Sequence, residues 1–248
     1  MYFLAREGLK NCQKIVIKIG SNALVNENGF NQCIIESIAQ EIAMLVKLGK
    51  EIVLITSGAV ALGKIITNTT HLSKNFYATI GQKNLMHEYD HCFEKTNHQI
   101  SQLLLTKDFF NKDKNIKQLK NIINESHSLG ITTIINENDA ISNNSFNNND
   151  LLAAEISKIL DADLLVLLTN TNGIYKCFKK KETISQATIG ELKFFIQNEK
   201  SSFGTGGMDT KLTACAISGT QTVIANAFEK NVLTKITNGK NTGTLIIQ

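Results

Sequence analysis

The segment Phe203-Gly-Thr-Gly-Gly-Met-Asp-Thr-Lys211 holds residue types that handle phosphate. Glycines let a backbone approach a phosphate closely and aim its N–H groups at it. The Ala-containing run from Leu212 to Ile217 reads as a helix, whose N-terminal dipole adds positive potential. Lys211 then stands as a point charge placed to meet a phosphate in motion. Structural turns use the same residues, so the segment alone leaves both readings open. Lys18 lies at the end of the apolar stretch Lys14–Ile19, immediately before Ile19-Gly20-Ser21. Alone, it reads as an edge lysine that snorkels to solvent. With Lys211 it becomes half of a pair. Two ammonium groups flanking one phosphoryl group would stabilise charge on both the attacking and the leaving oxygen. Asp150, at the start of a predicted helix, is placed to hold both of them, a role compatible with capping that helix.

These residues need elements that bring them together. Apolar strand-like runs alternate with helical spacing along the chain, which favours a parallel sheet. Strands are expected at Lys14–Ile19, Glu51–Thr56, Gln99–Leu105, Ile131–Ile135, Asp163–Leu168 and Gln221–Ala225. Helices are expected at Ile34–Leu48, Ala78–Lys95, Ile116–Ser128, Leu151–Leu160 and Met208–Gly219. The polar clusters Gly20-Ser21, Thr56-Ser57-Gly58, Asn136–Asp139 and Thr169-Asn170 each follow a strand. Ligands of open α/β sheets bind outside the carboxyl ends of the strands, so these clusters should converge on one edge.

Bulk properties narrow the class. The 248 residues suffice for one large α/β domain, and a hydrophobic content of 42% excludes a disordered chain. A net charge of +4 is too mild to argue for nucleic acid, and Lys179-Lys180-Lys181 reads as a solvated loop. No apolar run approaches the ~18 residues that span a bilayer. The N-terminus lacks the basic and apolar blocks of a signal peptide. Five scattered cysteines without a C-x-x-C pair read as reduced thiols of a cytoplasmic protein. Proline and tryptophan are absent and Arg6 is the single arginine, a skew that matches loss of GC-rich codons.

The motifs Ile17-Lys18-Ile19-Gly20-Ser21, Thr56-Ser57-Gly58-Ala59, Gly81-Gln82, Gln102 to Thr106, Ile135-Asn136-Glu137-Asn138-Asp139, Asn149-Asp150 and Gly204 to Lys211 occur in that order. Together they resemble the glutamate 5-kinase group of the amino acid kinase family, from about residue 14 to Thr244-Leu245. The resemblance implies a single domain over residues 1–248, a three-layer αβα sandwich with a mainly parallel central sheet. Its N-terminal part would bind L-glutamate and its C-terminal part, from about residue 150, ATP with Mg²⁺. By the same resemblance Lys18, Lys211 and Asp150 are catalytic. Ser57, Gly58, Asn136, Asp139, Asn148 and Asn149 are the substrate side. Lys18, Gly20, Ser21, Thr169, Asn170 and the run Thr205, Gly206, Gly207, Met208, Asp209, Thr210, Lys211 are the nucleotide side. A homo-oligomer is implied as well, and no separate protein metal site. The chemistry suits the residue types. A carboxylate acceptor, with an ordinary pKa near ~4.3, is already ionised and needs no general base. An acyl phosphate of glutamate, the first intermediate of proline synthesis, would be the product.

Some positions depart from the pattern. Asn147-Asn148-Asn149-Asp150 stands where the family has Gly-Asp-Asn-Asp, so Asn148 replaces an aspartate. An aspartate there would add a charge-assisted hydrogen bond to a substrate ammonium, so its loss is expected to weaken acceptor affinity more than turnover. Asn170 also stands where an aspartate is usual. The C-terminal PUA domain of many members is expected to be missing, since the sequence stops after Gly243 to Gln248. Another amino acid kinase, acting on acetylglutamate or aspartate, is the nearest alternative, and Asn136–Asp139 argues against it. A weak glutamate- or proline-sensing binding protein is the second, supported only by Asn148 and Asn170. His87-Glu88-Tyr89-Asp90-His91 matches the H-E-x-x-H zinc pattern of a metallohydrolase. No third ligand motif follows it, so helix surface is the reading. His71, His98 and His127 are expected to face solvent.

Overall fold

A computed structural model describes residues 2–27, 29–142, 145–146, 148–177, 182–198 and 208–248. Twelve strands occur among them: β1 Lys14–Ile19, β2 Val25–Asn26, β3 Gly29–Phe30, β4 Glu51–Ile55, β5 Ile100–Leu105, β6 Thr132–Glu137, β7 Leu164–Thr169, β8 Tyr175–Cys177, β9 Glu182–Thr183, β10 Gln186–Thr188, β11 Gln221–Asn226 and β12 Thr244–Ile247. The helices are α1 Tyr2–Gly8, α2 Ser21–Leu24, α3 Gln32–Lys47, α4 Ala59–Thr67, α5 Lys74–Glu94, α6 Asp113–Ser128, α7 Asn149–Leu160, α8 Ile189–Asn198, α9 Met208–Ser218 and α10 Val232–Thr237. Eight strands form one sheet in the order β10-β12-β11-β7-β1-β4-β6-β5. Every pairing in it is parallel except β11 with β12. The other four strands make two small antiparallel pairs, β2 with β3 and β8 with β9.

The sheet is buried on both faces, which explains why its strands read as almost continuous apolar runs. Alternate residues sort between two cores. Ile15, Ile17 and Ile19 of β1 join Ile52, Leu54 and Val166 beneath α3, α5 and α10. Val16 joins Val53, Ile55 and Leu165 beneath α6, α7 and α9. By parity Lys18 lies on the Val16 side, the face that carries α7 and α9. This placement decides which partners Lys18 can meet. The result is the expected three-layer sandwich. β6 runs further than the apolar pattern predicts and takes in Asn136 and Glu137, both buried. α4, α8, α10 and strands β10 and β12 lack a periodic signal long enough to be read in advance.

Two positions show how tightly the layers are tied. A Cβ built on Gly81 would lie 1.7 Å from the Ala59 carbonyl oxygen, so the glycine of the Gly81-Gln82 motif sets the approach of α5 to α4. Ala is worth up to ~1 kcal/mol over Gly in a helix. Here the added carbon meets backbone, which cannot swing aside. Gly81→Ala is expected to destabilise by about 1–3 kcal/mol or more. A urea midpoint at or above that of the unmodified chain would show that the two helices can part without cost. Arg6, the single arginine, is 7% exposed and donates from Nη1 to the carbonyls of Lys240 and Thr242 and from Nη2 to those of Ser185 and Gly243. Its planar fork gathers the chain entering β12 and the residue before β10.

Candidate active site

The centre of the site is one carboxylate between two ammonium groups. Asp150 lies in the first turn of α7 and is fully buried. Its Oδ1 is 2.6 Å from Lys18 Nζ at the end of β1, and its Oδ2 is 2.9 Å from Lys211 Nζ in the first turn of α9. Burial alone would raise the Asp150 carboxyl, but Lys18 and Lys211 together hold it below its ordinary value. Burial pulls the Lys18 ammonium down, Asp150 opposes that, and Lys211 adds to it. With two cations and one anion, the cluster carries an excess positive charge aimed at the strand ends. Such a charge attracts an anionic ligand and strengthens as water leaves.

A cavity of about 530 Å³ opens in front of this cluster. Lys18, Gly20, Ser21, Ser57, Gly58, Asp139, Asn148, Asn149, Asp150, Thr169, Asn170 and Lys211 all line it. The strand-end clusters therefore converge, as the sheet rule requires. The turn after β1 is tied to β7 by Gly20 N–H donating to the Leu168 carbonyl at 3.1 Å. Ser57 Oγ donates to the Ile19 carbonyl at 2.9 Å, and Gly58 takes the left-handed conformation at φ 95° that turns the chain into α4. Thr169 Oγ1 donates to Asn170 Oδ1 at 3.3 Å.

Other assigned residues act one step back. Asn136 does not line this cavity. Its Oδ1 accepts from Asn149 Nδ2 at 2.7 Å, and its Nδ2 donates to Gln82 Oε1 at 2.7 Å. Asn149 Nδ2 also donates to the Thr56 carbonyl at 2.6 Å. This chain of amides ties α5, β6 and the turn after β4 to the start of α7, and so fixes where Asp150 stands. Met208 packs on the core that holds Val16, Asp209 is exposed, and neither they nor Thr210 line the cavity. Thr205, Gly206 and Gly207 lie outside the described residues.

Asn148, not Asp150, caps α7, with Oδ1 accepting from Asp150 N–H at 2.8 Å. Its Nδ2 donates to Thr210 Oγ1 at 3.0 Å, next to Lys211. The sequence pattern alone predicts that an aspartate here tightens the acceptor site. The geometry predicts a smaller effect, because both ends of the amide are already engaged within the protein. Aspartate caps as well as asparagine, and Thr210 can reverse its hydroxyl to donate. Asn148→Asp is expected to hold the Michaelis constant of the acceptor within about two-fold. Initial rates across acceptor concentrations check this, and a several-fold lower constant would return Asn148 to the substrate.

Lys64, Lys74, Asn22, Glu137 and Ser145 also line the cavity and were not singled out from the sequence. Glu137 could have been found, since it lies inside the Asn136–Asp139 motif. It is buried and receives Ser142 Oγ at 3.1 Å, Phe146 N–H at 3.0 Å and Ser145 Oγ at 2.9 Å. It thereby ties Ser142, Ser145 and Phe146 to the end of β6. His87 and His91 lie exposed on α5, and among the described residues no group of three or more His, Cys, Asp or Glu is arranged to hold a metal. Two histidines differ from expectation. His98 Nε2 lies 2.8 Å from Thr132 Oγ1, and His127 Nε2 lies 3.3 Å from the Ile52 carbonyl. Each bonds a neighbouring strand, and burial lowers the pKa of both. His71 is exposed.

A buried carboxylate thus bridges two lysines at the strand ends of a mainly parallel αβα sandwich, an arrangement suited to receiving a phosphate group. Comparison with known proteins agrees. The model of the amino acid kinase family matches residues 13–226, and the chain belongs to that family. It is 36% identical to a glutamate 5-kinase of Alkaliphilus oremlandii, over 99% of this chain and 100% of that one. It is 33% identical to a glutamate 5-kinase of Clostridium perfringens, over 98% of each. A glutamate 5-kinase of Methanosarcina barkeri is 32% identical over 97% of this chain and 70% of its own length. Among solved structures, a Giardia carbamate kinase superposes with a TM-score of 0.70 at 18% identity, covering 96% of this chain and 99% of that one. A UMP kinase from Bacillus anthracis gives 0.66 at 16%, covering 95% and 96%. At these identities the structures speak for the fold alone.

Proposed function

We propose that the protein transfers the γ-phosphoryl group of ATP to the γ-carboxylate of L-glutamate, forming γ-glutamyl phosphate, the first step of proline synthesis. The observation that carries this is the Asp150 bridge, at 2.6 and 2.9 Å, between lysines on two different layers of the fold. The relatives named glutamate 5-kinase support glutamate as the acceptor.

The residues fit the nucleotide. Lys18 and Lys211 are oriented by a carboxylate that spends one charge on two cations, which leaves them free to accept further anionic contacts. The acceptor carboxylate approaches an anionic phosphate, and mutual repulsion is the main obstacle. Lys18 neutralises oxygens at the transferring group from the sheet side, and Lys211 does so from α9. Gly20 and Ser21 bound the cavity in front of Lys18, and Thr169 and Asn170 extend it toward the C-terminal half. Ser57, Asp139 and the turn held by Asn149 and Asn136 form the acceptor side. Positioning plus charge then accounts for the rate, as in other phosphoryl transfers. Mg²⁺ would arrive on the nucleotide phosphates and supply further charge neutralisation, since it keeps waters and needs few protein ligands. No described helix is long and apolar enough to cross a membrane, in keeping with a cytoplasmic enzyme; the resemblance adds a homo-oligomer.

ADP release measured with glutamate, aspartate, acetylglutamate or no acceptor, with and without Mg²⁺, tests the reading. Glutamate- and Mg²⁺-dependent release is expected, with a product that hydroxylamine traps as a hydroxamate. Release with another acceptor in preference to glutamate would sink it.

A further inference from the structure

Lys74 and Asp139 meet on the acceptor side of the cavity, with 3.1 Å between Nζ and Oδ1. They come from separate elements, the first residue of α5 and the turn after β6. Three features distinguish the pair from an incidental surface contact. Asp139 is held in place: its N–H donates to the Glu137 carbonyl at 2.9 Å, its own carbonyl accepts from Asn75 Nδ2 at 2.9 Å, and its side chain is only 17% exposed. Lys74 stands where a cation is unfavourable, since the dipole of a 21-residue helix is positive at that end and no acidic residue sits in the first turn. Lys64, the neighbouring cavity lysine, needs no such explanation. It lies toward the C-terminal end of α4, which favours a cation, and rests over the Tyr77 ring at 5.7 Å. Finally, the pair presents one cation and one anion side by side, the complement of an ammonium and a carboxylate borne on a single carbon.

We infer that Lys74, paired with the Asp139 that the resemblance already places on the substrate side, is a specificity-determining residue that receives the α-carboxylate of an α-amino-acid head group. Lys74 takes the α-carboxylate and Asp139 the α-ammonium, and the side-chain carboxylate extends toward Lys18 and Lys211. The inference rests on the proposed glutamate-phosphorylating function and adds to it the residue that selects for an amino acid with a free α-carboxylate.

Matched deletions in substrate and protein test it. Glutarate is glutamate without the amine, and 4-aminobutyrate is glutamate without the α-carboxylate. Each keeps a carboxylate to phosphorylate. For the unmodified protein, Lys74→Met, Lys64→Met and Asp139→Asn, kcat and KM are measured on all three. Where an analogue does not turn over, its inhibition constant against glutamate replaces its KM. Lys74→Met is expected to lower the preference for glutamate over 4-aminobutyrate about ten-fold or more, chiefly through the KM of glutamate. Asp139→Asn is expected to lower the preference for glutamate over glutarate in the same way. A purely structural role would penalise all three compounds alike, and an equal loss in Lys74→Met overturns the assignment. So does a selective loss in Lys64→Met that Lys74→Met lacks. If the unmodified protein phosphorylates another acceptor and not glutamate, the functional reading fails and this inference fails with it. Glutamate turnover with unaltered selectivity in Lys74→Met removes the inference alone.

Discussion

Lys211→Ala and Lys18→Ala each lower kcat by about 10²–10³ if the two ammonium groups stabilise the transferring phosphoryl group. The fold is expected to survive each single change for an electrostatic reason. Asp150 touches both lysines, so either mutant leaves the buried carboxylate with one ammonium partner. The double mutant is different: it leaves Asp150 buried and unpaired, and should lose stability as well as activity. The two single losses should therefore not add, because the residues act on one group as a unit. Glutamate-dependent ADP release, paired with thermal unfolding of each variant, reads both quantities. Near-normal kcat in either folded single mutant would show that its lysine does not touch the transferring group.

Asp150→Asn is expected to be more damaging to the site as a whole. The carboxylate is fully buried and is the shared counter-ion of two cations. Breaking a buried pair by removing one partner typically costs about 3–5 kcal/mol, since the charge left behind is uncompensated. The pH dependence gives a separate signature. In the unmodified protein burial lowers the Lys18 pKa and Asp150 resists that fall. Without the carboxylate the Lys18 pKa drops further, so activity that needs the ammonium form is lost at a lower pH. The alkaline limb of the rate profile should shift toward acid. Stability changes at the opposite end. The folded pKa of Asp150 is depressed, so its contribution is fully present above the ordinary carboxyl value of ~3.9 and disappears as pH falls through the folded value. Asp150→Asn should lack that component of acid unfolding. An unmoved alkaline limb would mean that Lys18 titration does not govern turnover.

Much of the site was legible because it is local. Gly20-Ser21, Ser57-Gly58, Asp139 and Thr169-Asn170 each follow an apolar run, and strand ends of a parallel sheet share an edge by topology alone. Lys18, Asp150 and Lys211 stand at element boundaries that periodicity reveals. What escaped was set by contacts distant in sequence. Arg6 meets carbonyls at Lys240, Thr242 and Gly243, and no local pattern announces such a partner. His98 and His127 looked like surface histidines because their segments are polar, yet each turns inward to a neighbouring strand. Lys64 is the one charged residue of the apolar α4 and Lys74 one of several on α5, and only the packing of these helices beside the cavity distinguishes them.

The sequence by itself determined the alternation of strands and helices, the parallel sheet that alternation favours and the residue types that can meet phosphate. Each of these follows from short-range periodicity and backbone chemistry. The order of the strands, the reversal of β12 against β11 and the joining of Asn148 to Thr210 were decided only in three dimensions. So was the sharing of Asp150 between two lysines. Side-chain parity sends Lys18 to one face of the sheet, but which helices cover that face depends on how the whole chain is wound. A carboxylate can bridge two cations only where winding has brought three separate elements within hydrogen-bonding distance, and spacing along one dimension does not encode that distance.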